Sequence, residues 1–142
     1  MLGAAAPASG DFFAILMPWL DTETFQAFLD EFARHTHCGE DPKREVWLAI
    51  DRAGWHIANA LRPPEGMRLV LMPTAAAQIN PAERIWLYMR DHHTRCRVVK
   101  GLDDLEDTLV AAINELIGSP ETVRSVCAMP APSGERIADA SL

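Results

Sequence analysis

The spacing of apolar positions changes repeatedly along this chain, and each change marks a new element. Residues 12–17 form an apolar, β-prone run that predicts a strand. Beyond Asp21 and Thr22, either of which can cap a helix, Phe25, Phe28, Leu29 and Phe32 recur at i, i+3, i+4 and i+7. That helical pattern fades over residues 35–39. An uninterrupted apolar run at residues 46–50 predicts a buried strand ending at Asp51. Residues 54–61 predict a short helix closed by Pro63 and Pro64, and residues 68–72 a further strand, followed by a loop over 73–79. Asn80 as N-cap and Pro81 at the first helical position open a helix to about His93, with Ala82, Trp86 and Met89 on one face. From Leu102, the positions Leu105, Leu109, Ala112, Ile113 and Leu116 give the clearest amphipathic helix, stopped by Gly118. Ser119 and Pro120 begin one more. No internal repeat is visible.

Strands alternating with helices predict an α/β domain in which the strands before Asp51 and Pro73 are parallel, joined by a right-handed crossover. The ends of the chain read differently. Residues 1–11 are rich in Ala, Pro, Gly and Ser and predict a disordered leader, and residues 128–142 predict a flexible tail. That leaves residues 12–127 for a single core, in keeping with 142 residues at 49% hydrophobic content. There is no apolar run long enough to cross a membrane and no secretory signal pattern, so the expected location is cytoplasmic with no membrane partner. Three cysteines in no paired spacing fit a reducing compartment.

A net charge of −7 argues against a self-sufficient nucleic-acid-binding protein, because phosphate contacts need Lys and Arg. The distribution softens the objection. Arg84, Arg90, Arg95, Arg97 and Lys100 stand against Asp91 alone, and Asp103, Asp104, Glu106, Asp107 and Glu115 then reverse the sign. From charge alone, two solvated faces of opposite sign explain this pattern.

Two carboxylates stand where regular structure should change. Asp51 closes a strand, at the edge where open α/β sheets collect ligands, and Glu83 lies in the first turn of a helix. The intervening segment is long enough to fold them back together, and hard oxygen donors suit Mg²⁺ or Mn²⁺. Each has a plain alternative: Asp51 as a polar residue in a turn, and Glu83 as the third residue of a capping-box-like start with Asn80. His37, Cys38, His92, His93 and Cys96 show no zinc-ligand spacing.

The pairing of strand-Asp51-x-x-Gly54-Trp55-His56 with Asn80-Pro81-x-Glu83-x-x-Trp86 resembles the catalytic core of DDE-superfamily transposases, in the mariner-like group of bacterial insertion sequences. The likeness runs from about Phe12 to about Cys127 and includes the segments 16–32 and 119–125. It implies a ribonuclease H-like (retroviral-integrase-like) fold, divalent-metal phosphodiester hydrolysis and strand transfer, and transposon-end DNA as partner. By resemblance Asp51 and Glu83 are metal-binding carboxylates, His56 and Asn80 help at the site, and Arg84, Arg90, Arg95 and Arg97 are candidates for phosphate contacts. Trp47, Trp55 and Trp86 read as core residues, with base stacking as the alternative.

The pattern is incomplete. The family's first catalytic Asp lies on an upstream strand with no counterpart here, since Asp11 and Asp21 lack the matching context. The loop 73–79 lacks the family's prolines, and Arg52 stands where a small or amide residue is usual. The expectation is therefore an N-terminally truncated catalytic core, inactive alone, completed by an upstream transposase fragment or acting as a homodimer. The alternative is a non-catalytic remnant that binds intact transposase or another protein through an exposed sheet edge.

Overall fold

The computed structural model describes residues 1–54, 60–73, 80–95 and 100–128. A hairpin of β1 (Leu2–Ala6) and β2 (Asp11–Ile15) is followed by α1 (Thr22–His35), then by β3 (Val46–Ile50) and β4 (Met67–Leu71). The helix α2 (Pro81–Met89) continues into a π-helical turn at Arg90–Thr94, and α3 (Leu102–Ile117) and α4 (Pro120–Ala128) complete the order. The strands form two separate two-stranded sheets, β1 antiparallel to β2 and β3 parallel to β4. The parallel pairing agrees with the sequence expectation. Most of the helix expected at 54–61 lies outside the described residues.

The two faces of the hairpin pack into different cores. Successive strand residues point to opposite faces, and the register pairs Ala4 with Phe13 and Ala5 with Phe12. Phe13, Ala4, Leu2 and Ile15 join the core beneath α1, whose Phe25, Phe28 and Leu29 are buried. Phe12, Ala5 and Ala14 join a second core with Ile85 and Met89 of α2, Ile113 and Leu116 of α3, and Val123 and Val126 of α4. Leu102 is 83% exposed, so the apolar stripe of α3 starts a turn later than its spacing predicts.

Leu2–Ala6 corrects the expectation of a disordered leader. Gly and Ala are poor strand formers, so propensity carries no signal here and packing decides. Gly3 lies under the Trp86 indole, where a Cβ would come within 2.6 Å of the ring. Small residues let the helical layers close on both sides of β1. The strand expected at 12–17 is found one residue earlier, at Asp11–Ile15.

Among the described residues, the β3–β4 pair is covered on one face only. Leu48, Ile50, Met67 and Leu69 face the α1 core, whereas Trp47 is 67% exposed and Val70 is exposed beside it. Both the expectation of a buried strand and the core role of Trp47 are thereby corrected. The Trp47 indole donates to Glu45 at 3.1 Å, and Arg68, its cross-strand neighbour, bonds the same carboxylate. The hydrogen bond from Arg68 holds the Glu45 carboxyl below the usual range.

Asp21 caps α1 in a reciprocal box: the Thr24 amide donates to its carboxylate at 2.8 Å, and its own amide donates to Thr24 Oγ1 at 2.9 Å. The bond from the Thr24 amide lowers the Asp21 pKa. The cap therefore stabilises fully above the ordinary carboxylate range and is lost as pH falls through the lowered value. Denaturation curves at neutral and strongly acidic pH should show Asp21→Asn, which keeps an acceptor, losing less on acidification than the native chain.

The hairpin turn is fixed to α4. Arg124 donates to the Ser9 carbonyl at 2.9 Å, and Gly10 has φ +81° with its missing Cβ position only 2.2 Å from the Pro120 carbonyl oxygen. Gly10→Ala should lower unfolding free energy by roughly 3 kcal/mol, from left-handed strain plus the backbone clash. A urea titration with an unchanged midpoint would show that the turn is not anchored in this way.

Candidate active site

Asp51 leaves the end of β3 and turns the chain, its Oδ1 accepting the Ala53 amide at 2.9 Å. Glu83 is the third residue of α2, behind Asn80 as N-cap and Pro81 at N1. The Asn80 side chain accepts the Ala82 amide at 3.0 Å, and the Glu83 amide donates to the Asn80 carbonyl at 3.2 Å. The cap is thus made by Asn80 alone. The Glu83 carboxylate makes no hydrogen bond or ion pair among the described residues.

Asp51, Asn80 and Glu83 all line one cleft of about 180 Å³. Leu2 and Gly3 of β1, Leu48 and Ala49 of β3, and Phe25 and Phe28 of α1 also line it. Trp86 stands beside Glu83 and closes over Gly3. The β1 wall is absent from the sequence reading, because a Gly- and Ala-rich start gives no periodic signal.

Both carboxylates are exposed, and their oxygens are hard donors of the kind that Mg²⁺ and Mn²⁺ prefer. Among the described residues, no group of three or more His, Cys, Asp or Glu side chains is placed to hold a metal. What the described residues bring to the cleft is two carboxylates, Asp51 and Glu83, with no third ligand beside them. Arg52 reaches across the sheet end, its Nε donating to the Met72 carbonyl at 3.2 Å. His56 and Trp55 lie outside the described residues, as do Cys96 and Arg97.

The basic segment is partly engaged within the protein. Arg84 Nη1 donates to the Cys127 carbonyl at 2.8 Å, tying α2 to the last turn of α4. Arg90 lies 3.2 Å and Arg95 3.7 Å from the same Asp91 oxygen. His92 stacks on Tyr88 with ring centroids 4.1 Å apart. His93 Nε2 is buried without a hydrogen-bond partner, 3.8 Å from Glu115. Burial pushes the Cys127 thiol up, partly offset by the Arg84 charge, which favours an unreactive thiol.

Comparison with known proteins adds the family. The profile described as "DDE superfamily endonuclease" matches residues 1–106. A protein of Sinorhizobium fredii (strain NBRC 101917 / NGR234), described as "Uncharacterized protein y4pE/y4sA", is 32% identical over 126 residues, covering 89% of this chain and 90% of that protein. The two proteins are thus of closely similar length. No solved structure matches the chain. No helix among the described residues is long and apolar enough to cross a membrane.

The Arg84 contact separates a packing role from a nucleic-acid role. Arg84→Ala should lower unfolding free energy by about 1–2 kcal/mol, since it leaves the Cys127 carbonyl without its charged donor. An unchanged thermal midpoint together with weaker DNA binding would return Arg84 to the phosphate-contact candidates.

Proposed function

The chain belongs to the DDE superfamily of endonucleases, whose fold is ribonuclease H-like, and on that premise we propose that it is the C-terminal portion of a transposase catalytic domain, of the mariner-like group, inactive alone. The observation that carries the reading is the convergence of Asp51 and Glu83, from a strand end and a helix start, on one cleft. DDE nucleases act on DNA with divalent metal, and bound Mg²⁺ or Mn²⁺ would supply activation of the attacking oxygen and stabilisation of the leaving one in an in-line displacement.

Asp51 and Glu83 would hold the ion. Asp51 is oriented by the Ala53 amide, and Glu83 is held in position by the Asn80 cap and the Pro81 start, which fix the first helical turn. Asn80, which lines the same cleft, caps the helix that carries Glu83, and His56 is a candidate for assisting at the phosphate. Arg90, Arg95 and Arg97 are candidates for the DNA backbone, where DNA phosphates would compete with Asp91 for the first two. A third carboxylate, from an upstream transposase fragment, would complete the set.

The second reading is a non-catalytic remnant that binds intact transposase or another protein through its sheet edge. It is favoured by the lack of a three-ligand cluster among the described residues.

Thermal unfolding with and without Mn²⁺ separates the two. If the carboxylates assemble a site, saturating metal at about a hundred times Kd should add about 2.7 kcal/mol of stability, and Asp51→Ala should abolish the shift. A folded chain indifferent to Mn²⁺ would favour the remnant.

A further inference from the structure

We propose that His93 is a proton-gated latch: protonation of its imidazole ties the basic turn after α2 to Glu115 of α3, and loss of the proton releases it. Such a latch needs neither DNA nor metal. Among the described residues, His93 Nε2 is the one buried side-chain nitrogen or oxygen without a hydrogen-bond partner. The Glu115 carboxylate lies 3.8 Å away, on the neighbouring helix.

The position explains the orphaned nitrogen. Ile85 and Met89 lie at i and i+4 on the buried stripe of α2, and His93 is the next position on that stripe. Packing alone asks for an apolar side chain there. The chain places a titratable ring instead, in a π-helical turn closed by the Arg95 amide on the Arg90 carbonyl at 2.8 Å, and turns of this kind recur at functional sites. The His93 side chain is only 17% exposed, whereas that of Glu115 is 58% exposed, so the carboxylate can close the gap without repacking the core.

Among the described residues, the other groups around the ring are engaged elsewhere. From α2, Tyr88 meets it edge-on with centroids 6.2 Å apart, and stacks on His92. On its own turn, His92 Nδ1 lies 2.9 Å from the Tyr88 carbonyl, and Asp91 takes Arg90 and Arg95. From α3 the facing group is Glu115. A neutral imidazole carries one N–H and a protonated one carries two, so only the protonated ring guarantees a donor at Nε2 and brings positive charge to the carboxylate. A charge-assisted bond is roughly twice as strong as a neutral one. Histidine changes charge between about pH 5 and pH 8. The contact therefore stabilises the folded chain at the acid end of that range, and the stabilisation is lost as pH rises through it. Because Arg90 opens the same turn and Arg95 caps it, the hold on α3 governs how firmly two cations are presented.

The test is a double-mutant cycle of His93→Gln and Glu115→Gln, read by urea unfolding of the full chain at about pH 5.5 and about pH 8. Titration of the other histidines and carboxylates cancels in the cycle. At the lower pH the pair should be coupled by at least about fivefold in the folding equilibrium constant, and at the higher pH by less than about twofold. Amide exchange at Arg95, corrected for its intrinsic pH dependence, should be slower at the lower pH by at least about threefold in the native chain and equal at both in Glu115→Gln. That exposed substitution carries the test by itself should His93→Gln not fold. Coupling that is absent at the lower pH or equal at both, or a pH-dependent Arg95 exchange that persists in Glu115→Gln, would overturn the latch.

Discussion

Phe12 and Phe13 are neighbours in sequence and belong to different cores. The pleat of β2 sends them to opposite faces, Phe12 among α2, α3 and α4 and Phe13 among the aromatic side chains of α1. The two cores meet only through that split of the hairpin, among the described residues. Slipping the hairpin register by one residue would exchange the two faces and place each side chain in the wrong layer. The fixed Gly10 turn, seated against Pro120, helps to keep the register in phase.

The helix α1 carries the second half of the constraint. Its Phe25, Phe28 and Leu29 bury residues from both β1 and the β3–β4 pair, so two sheets that do not bond each other still share one surface. The cleft is what remains between them. Its polar groups come from the places where elements begin and end: Asp51 at the exit of β3, Asn80 and Glu83 at the entry of α2. Such positions keep backbone groups available and hold side chains by local geometry, which suits a site better than the middle of either element.

Much of this was legible in the sequence wherever burial follows a period. The α1 stripe, the Asn80 cap with Pro81, the parallel strands and the α4 start at Pro120 were all readable from spacing and cap chemistry. The failures share one cause, which is that tertiary packing overruled composition. Leu2–Ala6 is a strand although Gly and Ala argue against one, and at Gly3 the Trp86 indole leaves no room for a side chain. Trp47 looked like core by its residue type, and it lies on the uncovered face of β3. Charge patterning marked the basic segment, but only coordinates could show Arg84 turned inward to a helix carbonyl.

The Arg84–Cys127 bond also bears on what counts as one domain. Family likeness covers residues 1–106, yet Ala112, Ile113, Leu116, Val123 and Val126 fill the core on which Phe12 and Ile85 rest. The family profile therefore ends before the core does, while likeness to the Sinorhizobium fredii protein extends over 126 residues. A boundary drawn at the end of the profile would cut through α3 and strip half of a hydrophobic core. For this chain, excision and fusion points belong beyond α4.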